Sequence, residues 1–216
     1  MTLLRLRLAT LRSDPVFPLV LLMGVYYFLQ GMGGNPGVHR QALEFYLKNT
    51  LGLSTDRQAE FIFLVTIPWM VKPLYGMLSD SVPLFGYRRA SYFILASGAS
   101  IAAYILIALL GYSYSAVLLL YVLAMAGFAC SDVLCYAVMV EKGNPLRATD
   151  RLQGAQWAAI ALSGITLTFL GGYVAEFLSF RHAVLISAAF PILVIAVTLL
   201  FLKEKKTDSI KSSAKD

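Results

Sequence analysis

Charge is scarce in this chain. Only 14% of its 216 residues are Asp, Glu, Lys or Arg, too few to coat a soluble domain of that length. Cysteine and histidine are scarcer still, at two residues each. Cys130 and Cys135 stand five apart in one expected helix and on different faces, which argues against a disulfide or a metal site and leaves packing as their role. His39 and His182 lie far apart and flank the loops on one side, there is no HExxH, and no nucleophile has a base near it in sequence. No enzyme activity, cofactor or metal is expected.

What fills the chain is apolar. The hydrophobic fraction is 58%, the mean hydropathy is +0.71, and the apolar residues come in long blocks. A hydrocarbon core of roughly 30 Å takes about 20 such residues per helix. Six segments meet that length, about 16–36, 58–79, 90–110, 115–139, 155–175 and 182–202, so an all-α polytopic membrane protein is expected, a six-helix transmembrane bundle over 1–202. The tail KEKKTDSIKSSAKD (203–216) is too polar to bury a core and reads as disordered. The basic start, MTLLRLRLATLRSDPVF, lacks a small-residue cleavage site and reads as a lead into the first helix.

The net charge of +6 is distributed unevenly. Arg5, Arg7, Arg12, Arg88, Arg89, Lys142, Arg147, Arg151, Lys203, Lys205, Lys206, Lys211 and Lys215 fall on one side of the expected spans, against Arg40, Lys48, Arg57 and Arg181 on the other. Basic loops face the cytoplasm, so both termini are expected there. The excess charge then reads as topology and lipid-headgroup affinity, with no aromatic-basic platform for nucleic acid. A bacterial inner membrane is the expected residence, since no transit peptide is apparent.

Ionisable groups inside a span are costly, and each needs an account. Lys72 lies eight residues before Asp80, about 12 Å along a helix, and is therefore deep. Pro68 and Pro73 flank it, each lacking a backbone donor, so a kink is expected there. A lysine snorkelling to the interface is the plainer alternative to a cavity cation. Asp132 precedes Glu141 by nine residues, about 13 Å, which puts it at a similar depth to Lys72. The two can pair; left unpaired, Asp132 would take up a proton, and the plainer alternative is an aspartate that braces neighbouring helices.

The first segment is broken as well. After Gln30 the run GMGGNPGVHRQ brings four glycines, an asparagine and a proline, tolerated at membrane depth only beside protein or a water-filled cavity. Arg40 then sits in the mouth of such a cavity or in an ordinary loop, with His39 a loop histidine. Transporters built of three-helix repeats place their sites where corresponding helices are interrupted, and segments one and four correspond. GMGGNPG interrupts the first, and CSD (130–132) is expected to interrupt the fourth.

Between spans two and three, Gly76, Asp80, Gly86, Arg88 and Arg89 spell G-x-x-x-D followed by G-Y-R-R, which resembles the signature loop of the major facilitator superfamily, with a slightly longer turn. In that superfamily the aspartate latches against the other half of the transporter. LEFYLKNTLGLS (43–54), PWMVKPLYGMLSD (68–80), VPLFGYRRASY (82–92), SDVLCYAVMVEK (131–142) and LQGAQWAAIALSG (152–164) together look like the folate-biopterin transporter family. The resemblance runs from about residue 28 to 175, and the PW-x-x-KPLYG-x-x-SD run is its specific part.

That resemblance implies the N-terminal half of a twelve-helix fold and a secondary transporter for folates or pterins, proton-coupled, with Arg40, Lys72 and Asp132 on the family's membrane-embedded charges. Arg40 and Lys72 would meet the carboxylates of a small organic anion, Tyr26, Tyr27, Gln30 and Trp157 its flat ring, and Asp132 the proton. Gly76, Asp80, Gly86, Arg88 and Arg89 would form the gating loop. Packing and interface anchoring are the plainer roles for the aromatics. There are two departures. Tyr136 stands where a second acid is expected four residues after Asp132, and six helices stand in place of twelve. A second six-helix half or a homodimer would supply the other wall of the site. The competing class is a truncated, non-transporting membrane protein or scaffold subunit.

Overall fold

The structure, a computed structural model, describes residues 14–110, 113–202, 204 and 206. The basic lead at 1–13 and most of the polar tail at 203–216 lie outside the described residues. Among the described residues eight α-helices follow one another: α1 (Phe17–Gly33), α2 (Arg40–Phe45), α3 (Thr55–Met70), α4 (Lys72–Ser81), α5 (Ala90–Leu110), α6 (Tyr114–Val138), α7 (Thr149–Phe177) and α8 (Phe180–Phe201). Single π-helical turns extend α2 over Tyr46–Thr50 and α6 over Met139–Gly143. The protein is an all-α polytopic membrane protein. Among the described residues five helical stretches, with α3 and α4 counted as one, are long and apolar enough to cross a bilayer, and α1 is a shorter apolar helix.

Local chemistry marks where the helices start. Ser113 is extended and its hydroxyl accepts from the Ala116 amide, capping α6. Ser54 and Ser179 stand in extended conformation just before α3 and α8, the backbone setting of an N-cap. Between α4 and α5 the chain reverses through Phe85 and Gly86, both at positive φ, which glycine accepts and phenylalanine resists.

Of three expected breaks, two are present and one is not. The second segment does part between Met70 and Lys72, where Val71 leaves the helical region (φ −94°, ψ 17°). Pro68 and Pro73 explain it, since neither can return a hydrogen bond to the turn before it. The first segment parts at Gly34, and the amides of Gly34 and Val38 fold back onto the carbonyls of Gln30 and Met32. The expected interruption of the fourth segment at CSD is absent, because α6 runs unbroken through Cys130, Ser131 and Asp132. The Asp132 carboxylate finds partners on other helices, described below, and does not compete for its own backbone.

Helix pairing follows a regular scheme. α1 packs on α7 and α8, α6 packs on α3, α4 and α5, and α5 packs on α8. Exchanging segments one with four, two with five and three with six leaves the scheme unchanged, as expected of a repeated three-helix unit. Small residues set the closest approaches: a Cβ on Gly127 would lie 2.3 Å from the Ala96 carbonyl oxygen, and one on Gly31 2.1 Å from Ser163 Oγ. Two clusters fill the interior. One gathers Phe61, Tyr104, Tyr121 and Phe128, and the other Met23, Tyr26, Tyr27, Phe93 and Leu134, toward the end that carries Arg88, Arg89 and Glu141, here called the basic end.

Candidate functional site: an ion pair on the wall of a cavity

Helix breakage places the cation. Lys72 opens α4 just past the Val71 break, and its Nζ donates to Asp132 Oδ2 in the middle of α6 at 2.6 Å. The same Nζ stands 4.5 Å from the centre of the Trp69 ring, one turn back across the break. The other carboxylate oxygen of Asp132 accepts from Gln30 Nε2 at 3.2 Å, just before α1 breaks. Asp132 is 3% exposed, so a carboxylate is buried with one cation and one amide donor as its partners.

These groups border a cavity of about 340 Å³ between α1, the α3–α4 break, α6 and α7. Tyr27, Gln30, Lys72, Asp132 and Trp157 all line it. On its α7 side, Gln156 donates through Nε2 to Tyr136 Oη at 2.9 Å. A slightly larger recess of about 390 Å³ lies at the opposite end, by the stacked rings of Tyr46 and Phe180. The cavity at Lys72 is the one bordered by the Lys72–Asp132 ion pair.

Two sequence candidates lie elsewhere. Arg40 stands on α2 with its Nε 2.6 Å from Glu44 Oε1, and it borders a narrow void with His39 and Tyr121. The RQALE spacing already contains that i,i+4 pair, which keeps the guanidinium on its own helix. Tyr26 is buried against Tyr27 and Phe93, outside the cavity lining. The residues that sequence reasoning passed over are Trp69 and Gln156, with Tyr136 noted only as a missing acid. Gln156 is a polar side chain inside an apolar span, and that signal was available.

His39 is no surface histidine. Nδ1 lies 2.6 Å from Ser187 Oγ on α8, and the ring contacts Tyr104 and Tyr121. The broken first segment folds inward and carries it between α5, α6 and α8.

At the basic end Arg89, 5% exposed, gathers the loop. It donates to Asp80 Oδ1 at 2.6 Å, to Ser79 Oγ at 2.7 Å and to Glu141. Burial opposes its charge, but the hydrogen bonds to Glu141 and Asp80 outweigh it and hold the guanidinium above its ordinary value. Glu204, past the end of α8, accepts from the amides of Arg88, Arg89 and Ala90 and so caps α5 with a carboxylate. Arg88 donates to the Asp80 carbonyl, and Gly76 brings α4 against Val133 of α6. Asp80 therefore has a partner within the chain, although its side chain is 57% exposed.

A bundle of apolar helices enclosing one buried ion pair beside a cavity defines an integral membrane protein with a polar interior site. The chain belongs to the BT1 family, whose family model matches residues 30–216. It is 34% identical over 192 residues to the folate-biopterin transporter of Synechocystis sp., covering 88% of this chain and 38% of that protein. It is 30% identical to probable folate-biopterin transporter 4 of Arabidopsis thaliana (86% and 38% covered) and 29% identical to folate transporter 1 of Plasmodium falciparum (80% and 34%). The chain thus spans little more than a third of the length of these relatives. No solved structure matches it.

Proposed function

We propose that the chain forms one six-helix half of a secondary transporter for folate- or pterin-type organic anions, coupled to protons through Asp132. The observation that carries this reading is the Lys72–Asp132 pair at 2.6 Å on the wall of the cavity. The names of the relatives supply the substrate class.

The pair works as an exchange. An ionised Asp132 holds the ammonium of Lys72. A proton on Asp132 removes that charge, and Lys72 then takes a ligand carboxylate by a charge-assisted hydrogen bond. Proton and anion therefore bind together and leave together, which is symport. Tyr27 and Trp157 offer ring faces, and Gln30 an amide. Arg40 and Tyr26 make no ligand contact in this reading. Alternating access needs a second wall, from another six-helix half or a second copy of the chain, and the Asp80–Arg89 loop gates that contact. The basic end faces the cytoplasm, in keeping with the distribution of Lys and Arg, and a cyanobacterial relative fits a bacterial inner membrane.

The test is uptake of labelled folate by cells expressing the chain, alone and with a second half, across an imposed pH gradient. Uptake is expected to rise as the outside is acidified, and Asp132→Asn to abolish that dependence. An Asp132→Asn variant with the wild-type pH profile sinks the coupling assignment.

A further inference from the structure

Lys72 has two partners of different kinds. Among the described residues its one hydrogen bond runs to Asp132, while its Nζ also stands over the ring of Trp69, 4.5 Å from the centre. The two contacts answer differently to a proton. Protonation of Asp132 cancels the charge that holds the ammonium, whereas an indole ring attracts a cation through its quadrupole and does not titrate near neutral pH. The ring is therefore the partner that Lys72 keeps in both states of the acid. Among the described residues, the other titratable side chains that line the cavity or flank Asp132 are Tyr26 and Tyr27 on α1 and Cys130, Cys135 and Tyr136 on α6, all of types uncharged at neutral pH.

The ring is itself held. Trp69 lines the cavity together with Lys72 and Asp132, and it packs against the interior cluster that contains Phe61, Val65 and Tyr121. It belongs to α3, Lys72 opens α4 and Val71 parts them, so the contact closes across the break. A lysine released by its carboxylate at this depth would otherwise swing its four-carbon stem toward the nearest interface and carry the charge out of the cavity. The Nε1–H of Trp69 is buried with no partner among the described residues and, being a donor, gives nothing to an ammonium. The face of the ring makes the contact.

We propose that Trp69 is a positioning residue that keeps the Lys72 ammonium on the cavity wall when Asp132 takes up a proton, so that the cation stands ready for an anionic ligand. The carboxylate of the ligand then takes the place that Asp132 has given up, and the contact with the ring is never broken. This rests on the transport reading of the same cavity, and adds to it what holds Lys72 between its two carboxylates.

The test measures displacement of labelled folate from membranes containing the full chain, by pterin-6-carboxylate and by unsubstituted pterin, which has no carboxylate for Lys72. Mono-, di- and trifluorotryptophan placed at position 69 nearly keep the size of the ring and its N–H, and weaken its face step by step. The inhibition constant of pterin-6-carboxylate is expected to rise with each fluorine, to about fivefold at the third, and that of pterin to stay level. Trp69→Phe lacks the N–H but keeps a face, and should fall between the wild type and Trp69→Leu. In Lys72→Met the fluorine series should be flat. A flat series on the wild-type chain, or equal losses for the two competitors, overturns the proposal. If Lys72→Met does not fold, the contrast between the two competitors on the wild-type chain decides it. Absence of folate binding overturns the transport reading with it, whereas binding with a flat series removes this inference alone.

Discussion

Lys72 on α4 and Asp132 on α6 meet at 2.6 Å, and the second oxygen of the same carboxylate is held by Gln30 of α1. Three membrane segments are therefore joined at one buried acid. Removing either charge strands the other, which costs about 3–5 kcal/mol for a fully buried pair. Lys72 is about one-third open to the cavity, so the lower end of that range applies. Lys72→Met and Asp132→Leu should each destabilise the chain in detergent by about 3 kcal/mol, and the double variant by about 1–3 kcal/mol less than their sum. Additive losses in thermal unfolding would show that the pair is not coupled.

Lys72→Ala should weaken binding of a carboxylate-bearing pterin by about tenfold or more, the worth of one charge-assisted hydrogen bond. An uncharged pterin should bind as before. Equal losses for both ligands would make Lys72 a brace and not an anion contact.

Arg89 joins Ser79, Asp80 and Glu141 through one fork. Arg89→Lys offers a point charge in its place and cannot span the three, so it should lose about 2–3 kcal/mol of stability, nearly as much as Arg89→Gln. A lysine variant as stable as the wild type would assign the loop to simple charge balance.

Gly127→Ala drives a methyl group into the Ala96 carbonyl, which belongs to a helix backbone and cannot step aside. A loss of about 2–3 kcal/mol is expected, with α5 and α6 spread apart. At Gly31 the obstacle is the Ser163 side chain, so Gly31→Ala should be rescued by Ser163→Gly and Gly127→Ala by no such partner. Thermal unfolding of the three variants decides it.

Asp14 stands outside the spans, its carboxyl held below the usual value of 3.8 by the Val16 amide first and by Arg151 second. A lowered folded-state value stabilises the protein above the unfolded value and is lost as pH falls through the folded one. Asp14→Asn should therefore shift the melting temperature by a constant amount from pH 5 to 8, roughly the plateau of linkage, and by less below about pH 4. A shift that grows on acidification would contradict the sign.

The depth of the ion pair was legible because an α-helix advances by a fixed rise: counting back from Asp80 and from Glu141 puts Lys72 and Asp132 at one level. The break beside Lys72 was legible from Pro68 and Pro73. The continuity of α6 was not, because whether Asp132 disturbs its helix depends on Lys72 and Gln30, sixty and more residues away. For the same reason the burial of His39, which does stand in a turn, was not legible, since the fold of GMGGNPG carries it to Ser187. Arg40 stands away from the cavity for a local reason, since Glu44 one turn on already answers its charge.

The uninterrupted course of α6 also has a mechanical side. Asp132 rides on a stiff strut, whereas Lys72 sits one residue past the break at Val71 and Gln30 just ahead of the break at Gly34. A tilt of either jointed segment lengthens its own bond to the carboxylate without moving the carboxylate itself. The acid is then the fixed point against which both joints are measured, and flexing at Val71 or at Gly34 is felt first as a longer bond to it.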